Sequence, residues 1–257
     1  MAEGERPTDT PALLARLDGT SSTMARVISS GEINPYLQRV ELQGDFPEDF
    51  VILPGQDVML HFPTERNRQL RRRYSVRRFY ADEGIVELNI ARHGQGPGSR
   101  WAMEVSLGSS MEVIGPRGKV LLDAESYKHL FLGDLSSLAA LSSLAEAVAA
   151  DQVLEMALLV PGEARWPELS IADGVQATQR YLVSPDQTDA SLLLAYFASL
   201  GSLSNTHIYL AAEVAVMRAL RSVILASGFP EERLSAKSYW NVKKANKAHG
   251  EPPKDEA

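Results

Sequence analysis

The stretch Arg66–Phe79, RNRQLRRRYSVRRF, sets seven arginines around one tyrosine and one serine in a chain whose formal net charge is −7. On a strand alternate residues share a face, so Arg72 lies with Tyr74 and Ser75 lies with Arg77. A flavin asks for such groups: a guanidinium for its pyrophosphate, a ring to pack on its face, and a short hydroxyl near its reactive nitrogen edge. Arg72, Tyr74 and Ser75 could supply these in order. The same run also suits a solvated edge strand whose arginines discourage aggregation.

A second cluster follows at His93–Ala102, HGQGPGSRWA. Gly94, Gly96 and Gly98 allow a turn whose successive N–H groups form an anion-binding nest, with Ser99 adding a hydroxyl. A helix starting near Ser99 would bring its N-terminus to a phosphate. The plainer reading is a glycine-rich connection with Trp101 as a core plug. A third site of interest is LGDLSSL, where Gly133 and Asp134 stand between a strand and a helix and Ser136 and Ser137 fall near the helix start. Its one glycine makes it no dinucleotide fingerprint. Glu213 sits at a strand-to-helix junction, where an acid also serves as an ordinary first-turn residue. The turn Gly115–Gly118, GPRG, reads as a plain hairpin. The histidines at 61, 93, 129, 207 and 249 show no metal-ligand spacing, so no metal site is expected. The chain has no cysteine, which excludes disulfides, thiolate nucleophiles and cysteine-ligated zinc or iron–sulfur centres. Redox chemistry would need a bound cofactor.

These residues are carried by two kinds of element. RVELQG, DVMLHF and IVELNI alternate apolar and polar residues, which predicts half-buried strands separated by turns at Pro54-Gly55, Asp82–Gly84 and Gly115–Gly118. Such short, evenly spaced strands suggest a small antiparallel barrel. From about residue 124 the rhythm changes. HLFLG, LEMALLV and HIYLA read as buried strands, and Ser136–Ala150, ASLLLAYFASL and AEVAVMRALRSVILASG as helices. That alternation predicts a parallel α/β sheet. Expected boundaries are an extension over 1–20, a barrel over 21–123, an α/β domain over 124–242 and a basic, then polar, tail over 243–257. At 44% hydrophobic and 23% charged residues the composition is that of a globular protein, and the acidic balance argues against nucleic-acid binding. The polar start MAEGERPTDTPALLARLDGTSS lacks signal-peptide character and no run of about 18 apolar residues exists. A cytoplasmic monomer without membrane insertion is the expectation.

In order along the chain, these motifs resemble the siderophore-interacting protein family, a branch of the ferredoxin-reductase-like flavin enzymes. Its R-x-Y-[ST]-x-R pattern is met by Arg72, Tyr74, Ser75 and Arg77. Its H-x-x-G-P-x-[ST]-x-W-A pattern is met by His93, Gly96, Pro97, Ser99, Trp101 and Ala102, with Gly98 between. GPRG at Gly115–Gly118, Gly133-Asp134, Ala211-Ala212-Glu213 and Tyr239-Trp240 complete the series, from about Met24 to Trp240. The resemblance implies a six-stranded Greek-key β-barrel that binds FAD and a C-terminal α/β domain of the NAD(P)H-binding kind. The implied reaction is reduction of siderophore-bound Fe(III), which releases iron as Fe(II). Gly133, Asp134, Ser136, Ser137 and Glu213 would then face the nicotinamide. The family's GDETALPA loop is here GDLSSLAAL, which leaves the donor open between NADH, NADPH and a ferredoxin. Lys237, Lys243, Lys244 and Lys247, with arginines of the cluster, could line a basic mouth for an anionic ferric chelate. A solvated basic tail is the alternative. Two other functions stay open: a general NAD(P)H:flavin or quinone-type reductase, and a non-catalytic module that binds iron chelates.

Overall fold

The computed structural model describes residues 21–62, 70–92 and 97–242. Six strands come first: β1 (Ser21–Asn34), β2 (Leu37–Gly44), β3 (Asp57–Phe62), β4 (Leu70–Tyr80), β5 (Ile85–Ala91) and β6 (Ser110–Arg117). They close into a barrel in the order β1-β2-β5-β4-β3-β6, with every neighbouring pair antiparallel. The step from β2 to β5, with β3 and β4 returning inside it, is the Greek-key connection. The alternation read from sequence fills the barrel. Val40, Leu42, Val58, Leu60, Val86 and Leu88 all point inward and are fully buried. Helix α1 (Pro97–Glu104) lies between β5 and β6, with Ala102 buried and Trp101 packed against the same core. Gly115–Gly118 is not the expected hairpin: β6 runs on through Arg117, and the chain then continues to the second domain.

The second domain holds five parallel strands in the order β11-β10-β7-β8-β9. They are β7 (Lys128–Asp134), β8 (Val153–Val160), β9 (Gln176–Val183), β10 (Thr206–Glu213) and β11 (Leu234–Trp240). Helices α2 (Leu138–Ala145), α3 (Ser191–Ser199) and α4 (Val214–Ala226) connect them. The two faces of β7 feed different cores. Phe131 packs with α2 and Tyr209, whereas Leu130 and Leu132 pack with α3 and α4. Strand succession runs outward from β7 through β8 to β9, then restarts on the other side at β10. The carboxyl ends of β7 and β10 therefore flank a topological switch point, where open α/β sheets bind ligands. Among the described residues no helix is long and apolar enough to cross a membrane.

Candidate functional site

The two motif clusters meet at one strand–helix junction. Val76 points into the barrel core, so Tyr74, two residues earlier on β4, shares that side and packs against the core's edge. Gly98, in the first turn of α1, closes onto the Tyr74 phenol. A Cβ built at Gly98 would lie 1.7 Å from the phenol oxygen, so only glycine allows this approach. Burial pushes the Tyr74 phenol well above the ordinary tyrosine range, with the nearby Arg72 pulling the other way. Burial also holds the Arg72 guanidinium below its usual value. A half-buried guanidinium, a neutral phenol and the first N–H groups of a helix form a setting for a phosphate-bearing ligand with a planar ring. Ser99 is buried at the start of α1. His93 and Gly96 lie outside the described residues, as does the side chain of Pro97.

Ser75 and Arg77 leave β4 on the outer side, toward the second domain. Ser75 Oγ is 3.1 Å from the phenol oxygen of Tyr239 on β11. Arg77 is 5% exposed and donates two hydrogen bonds, at 2.7 and 2.5 Å, to the Glu146 carboxylate just past α2. That guanidinium, expected from sequence beside a flavin, is engaged here in an interdomain ion pair. Burial works to raise the Glu146 carboxyl. The hydrogen bonds from Arg77 and the Ser170 N–H, with the Arg77 and Arg78 charges, prevail and hold it below the usual range. Lys237, read from sequence as a substrate contact, is likewise turned inward. Its Nζ lies 2.8 Å from Asp57 Oδ2, and Arg73 donates to both oxygens of the same buried carboxylate at 2.7 and 2.9 Å. Lys243, Lys244 and Lys247 lie outside the described residues.

At the switch point, Gly133, Asp134, Ser136, Ser137 and Glu213 do come together, but chiefly on one another. A Cβ at Gly133 would fall 2.3 Å from Ser137 Oγ and 2.5 Å from the Ala211 carbonyl, so glycine is needed where β7 turns beside β10. Asp134 caps the turn into α2: its carboxylate accepts from Ser136 N–H at 2.9 Å and from the Ser136 hydroxyl at 2.5 Å. It also accepts from Glu213 N–H at 2.7 Å and from Trp240 Nε1 at 2.9 Å. Burial pushes the Asp134 carboxyl up, against those four donors. Ser137 donates to the Asp134 carbonyl at 2.8 Å. Glu213 caps α4, accepting from Ala215 N–H and, at 3.3 Å, from Val242 N–H.

Sequence reasoning did not find Asp57, Glu146 or Asp123. Asp57 and Glu146 meet their arginine partners, and Asp123 meets His207, only through tertiary contact, although Asp123 also accepts locally from Glu125 N–H and the Ser126 hydroxyl. Asp123 belongs to a hydrogen-bonded chain in the order of an acyl-transfer triad: Ser235 Oγ lies 2.9 Å from His207 Nε2, and His207 Nδ1 lies 3.0 Å from Asp123 Oδ2. Burial holds His207 below its ordinary pKa against the pull of Asp123, and the Ser126 hydroxyl helps keep Asp123 ionised. The void beside Ser235 has about 10 Å³, room for one water and no substrate. The chain is therefore a tie between β10, β11 and the segment before β7. A larger cleft of about 540 Å³ lies between the barrel's outer face and Arg165–Glu168. Arg39, Arg77, Arg78 and Arg165 in its lining stand with Glu32, Glu87 and Glu168, and Arg77 is further paired to Glu146. Among the described residues no group of three or more His, Asp or Glu could hold a metal ion.

Comparison with known proteins bears on both domains. The signature of the siderophore-interacting FAD-binding domain matches residues 48–120, and that of the siderophore-interacting protein matches residues 126–243. The chain is 28% identical over 137 residues to the ferric vibriobactin reductase ViuB of Vibrio cholerae, a match covering 44% of this chain and 49% of that reductase. The chain thus spans about half the length of this curated relative. Among solved structures, a siderophore utilization protein from T. fusca superposes with a TM-score of 0.78 at 24% identity, over 90% of this chain and 96% of the other. The siderophore-interacting protein SipS from Aeromonas hydrophila superposes with a TM-score of 0.74 at 25% identity, over 87% and 92%.

Proposed function

The chain belongs to the siderophore-interacting protein family, and from that premise we propose that it is a cytoplasmic FAD-dependent reductase of ferric siderophores, taking electrons from NADH, NADPH or a ferredoxin. The observation that carries the reading is the closure of Gly98 onto Tyr74 beside Arg72. It supports a cradle in which Arg72 and the N–H groups opening α1 hold the pyrophosphate and Tyr74 offers its ring. The Ser75 hydroxyl would serve the reactive nitrogen of a bound flavin, and Ser99 and Trp101 would support the turn. The flavin, when bound, accepts a hydride and passes on single electrons. The chain's own part is to bind and orient: Asp57, Arg73, Lys237 and the Arg77–Glu146 pair fix the second domain against β4, where it would shield a bound ring.

The substrate logic is that of hard and soft ligation. Oxygen donors of a siderophore favour Fe(III), and one added electron gives Fe(II), which they hold far less tightly. The metal is released and the chelator survives. The test is anaerobic. FAD-loaded protein is reduced in turn by NADH, NADPH and reduced ferredoxin, then mixed with a ferric siderophore in the presence of a ferrous-specific trap. Reoxidation of the flavin together with a stoichiometric rise of trapped Fe(II) is expected. Reoxidation by quinone or free flavin but not by ferric chelates would make it a general reductase, and failure to retain FAD would make it a binding module.

A further inference from the structure

Ser75 and Tyr239 face each other across the domain boundary, with their oxygens 3.1 Å apart. Both are hydroxyls, and each can donate or accept. Burial pushes the Tyr239 phenol up to about 12, which the Ser75 hydrogen bond only moderates, so it keeps its proton at any working pH. Its ring packs against the core that contains α2, and the Lys237 ammonium, held by Asp57, lies 5.2 Å from the ring centroid. The pair has two polarities. Tyr239 can donate to Ser75, which turns the serine proton outward. Alternatively Ser75 donates to Tyr239, which turns a serine lone pair outward.

We propose that Tyr239 is a positioning residue whose phenol lets the Ser75 hydroxyl reverse direction between the oxidised and reduced states of a flavin held on β4. The inference rests on the flavin reading above. The reactive nitrogen of an oxidised flavin offers a lone pair and asks for a donor. After it takes a hydride from a reduced nicotinamide, or two electrons from another reductant with a proton from water, the same nitrogen carries N–H and asks for an acceptor. Ser75 must donate in the first state and accept in the second. When it accepts, the proton of the buried Ser75 needs a partner, and Tyr239 Oη is that partner, the proton of the half-buried phenol turning to water. When it donates, Tyr239 supplies a proton to the serine lone pair. Without the phenol oxygen the reduced state alone leaves a buried donor unmade, which costs more than an unfilled lone pair.

Tyr239→Phe keeps the ring and its packing and removes only the hydroxyl. The readouts are the dissociation constant of FAD and the two-electron midpoint potential of the bound cofactor. Tyr239→Phe is expected to bind FAD as the wild type does. At a fixed potential its reduced-to-oxidised ratio should fall about tenfold, a midpoint about 30 mV more negative for a two-electron couple. Ser75→Thr should keep the wild-type potential. In a Ser75→Ala background the Tyr239→Phe change should add no further shift, because the partner it serves is gone. An unchanged potential in Tyr239→Phe, or an equal shift with and without the Ser75 hydroxyl, overturns the inference. Failure of the wild-type protein to retain FAD overturns the flavin reading itself, and is seen before any variant is compared.

Discussion

Gly98 is the residue on which the proposed cradle turns. Its α-carbon lies so close to the Tyr74 phenol that one methyl group would occupy the same space, at 1.7 Å. Gly98→Ala should therefore push α1 away from β4 and weaken FAD binding by at least roughly tenfold, about 1.4 kcal/mol. Barrel stability should change far less. Calorimetric titration with FAD, beside thermal unfolding of the apo-protein, separates the two. Arg77 and Glu146 make a second, different prediction. The pair is buried, with side-chain exposures of 5% and 13%, and removing one partner leaves the other charge uncompensated. Glu146→Gln should cost about 3–5 kcal/mol at neutral pH. Because the folded carboxyl titrates below its ordinary value, its contribution is full above the unfolded pKa and is lost as pH falls through the folded one. The wild type should thus lose stability in the acid range by a component that Glu146→Gln lacks, as denaturant unfolding at stepped pH would record. The meeting of Tyr74 with the glycine turn was legible as two adjacent clusters of suitable chemistry. The diversion of Arg77 to Glu146 was not, because strand parity says which face a side chain takes but not what waits there.

Among the elements, those with a clean period were legible and those without it were not. β2, β3 and β5 carry alternating buried residues, and β7, β8 and β10 have apolar centres and are buried along nearly their whole length. β9 went unseen because it is the sheet's edge and mostly exposed, so its sequence QATQRYLV carries no core-facing stripe. β11 is half-buried along its whole length, and register shifts interrupt β1's pairing with β2, which blurs its alternation. The helix read over Ser136–Ala150 ends at Ala145, because the chain must turn there to bring Glu146 onto Arg77. The switch point makes its own prediction. Trp240 ties the end of β11 to the buried Asp134 that caps the turn into α2. Trp240→Phe removes one donor from a fully buried carboxylate and should cost about 1–3 kcal/mol. For a chain of this size that lowers Tm by roughly 2–4 °C per kcal/mol. FAD affinity should persist, since the proposed flavin cradle is built from β4 and α1; a parallel loss of affinity would tie the cap to the cofactor.

At the scale of the whole molecule, two domains are locked by a few buried polar contacts: Asp57 with Arg73 and Lys237, Arg77 with Glu146, Ser75 with Tyr239, and Gly55 N–H with Ser143 Oγ at 3.0 Å. Asp57, with its side chain 2% exposed, is the centre of the first group. Asp57→Asn leaves two cations facing each other across the boundary and should destabilise the molecule by about 3–5 kcal/mol. Differential scanning calorimetry should show the single unfolding transition of the wild type replaced by two. The central claim is that Arg72, Tyr74 and the first turn of α1 cradle one flavin dinucleotide. Titration of FAD into the purified apo-protein, followed by the perturbation of the visible flavin absorbance, tests it most directly. Saturation at one FAD per chain is expected, with the midpoint moved to at least roughly tenfold higher FAD in Arg72→Ala and Gly98→Ala. Absence of saturable binding, or binding that both variants keep unchanged, would contradict it.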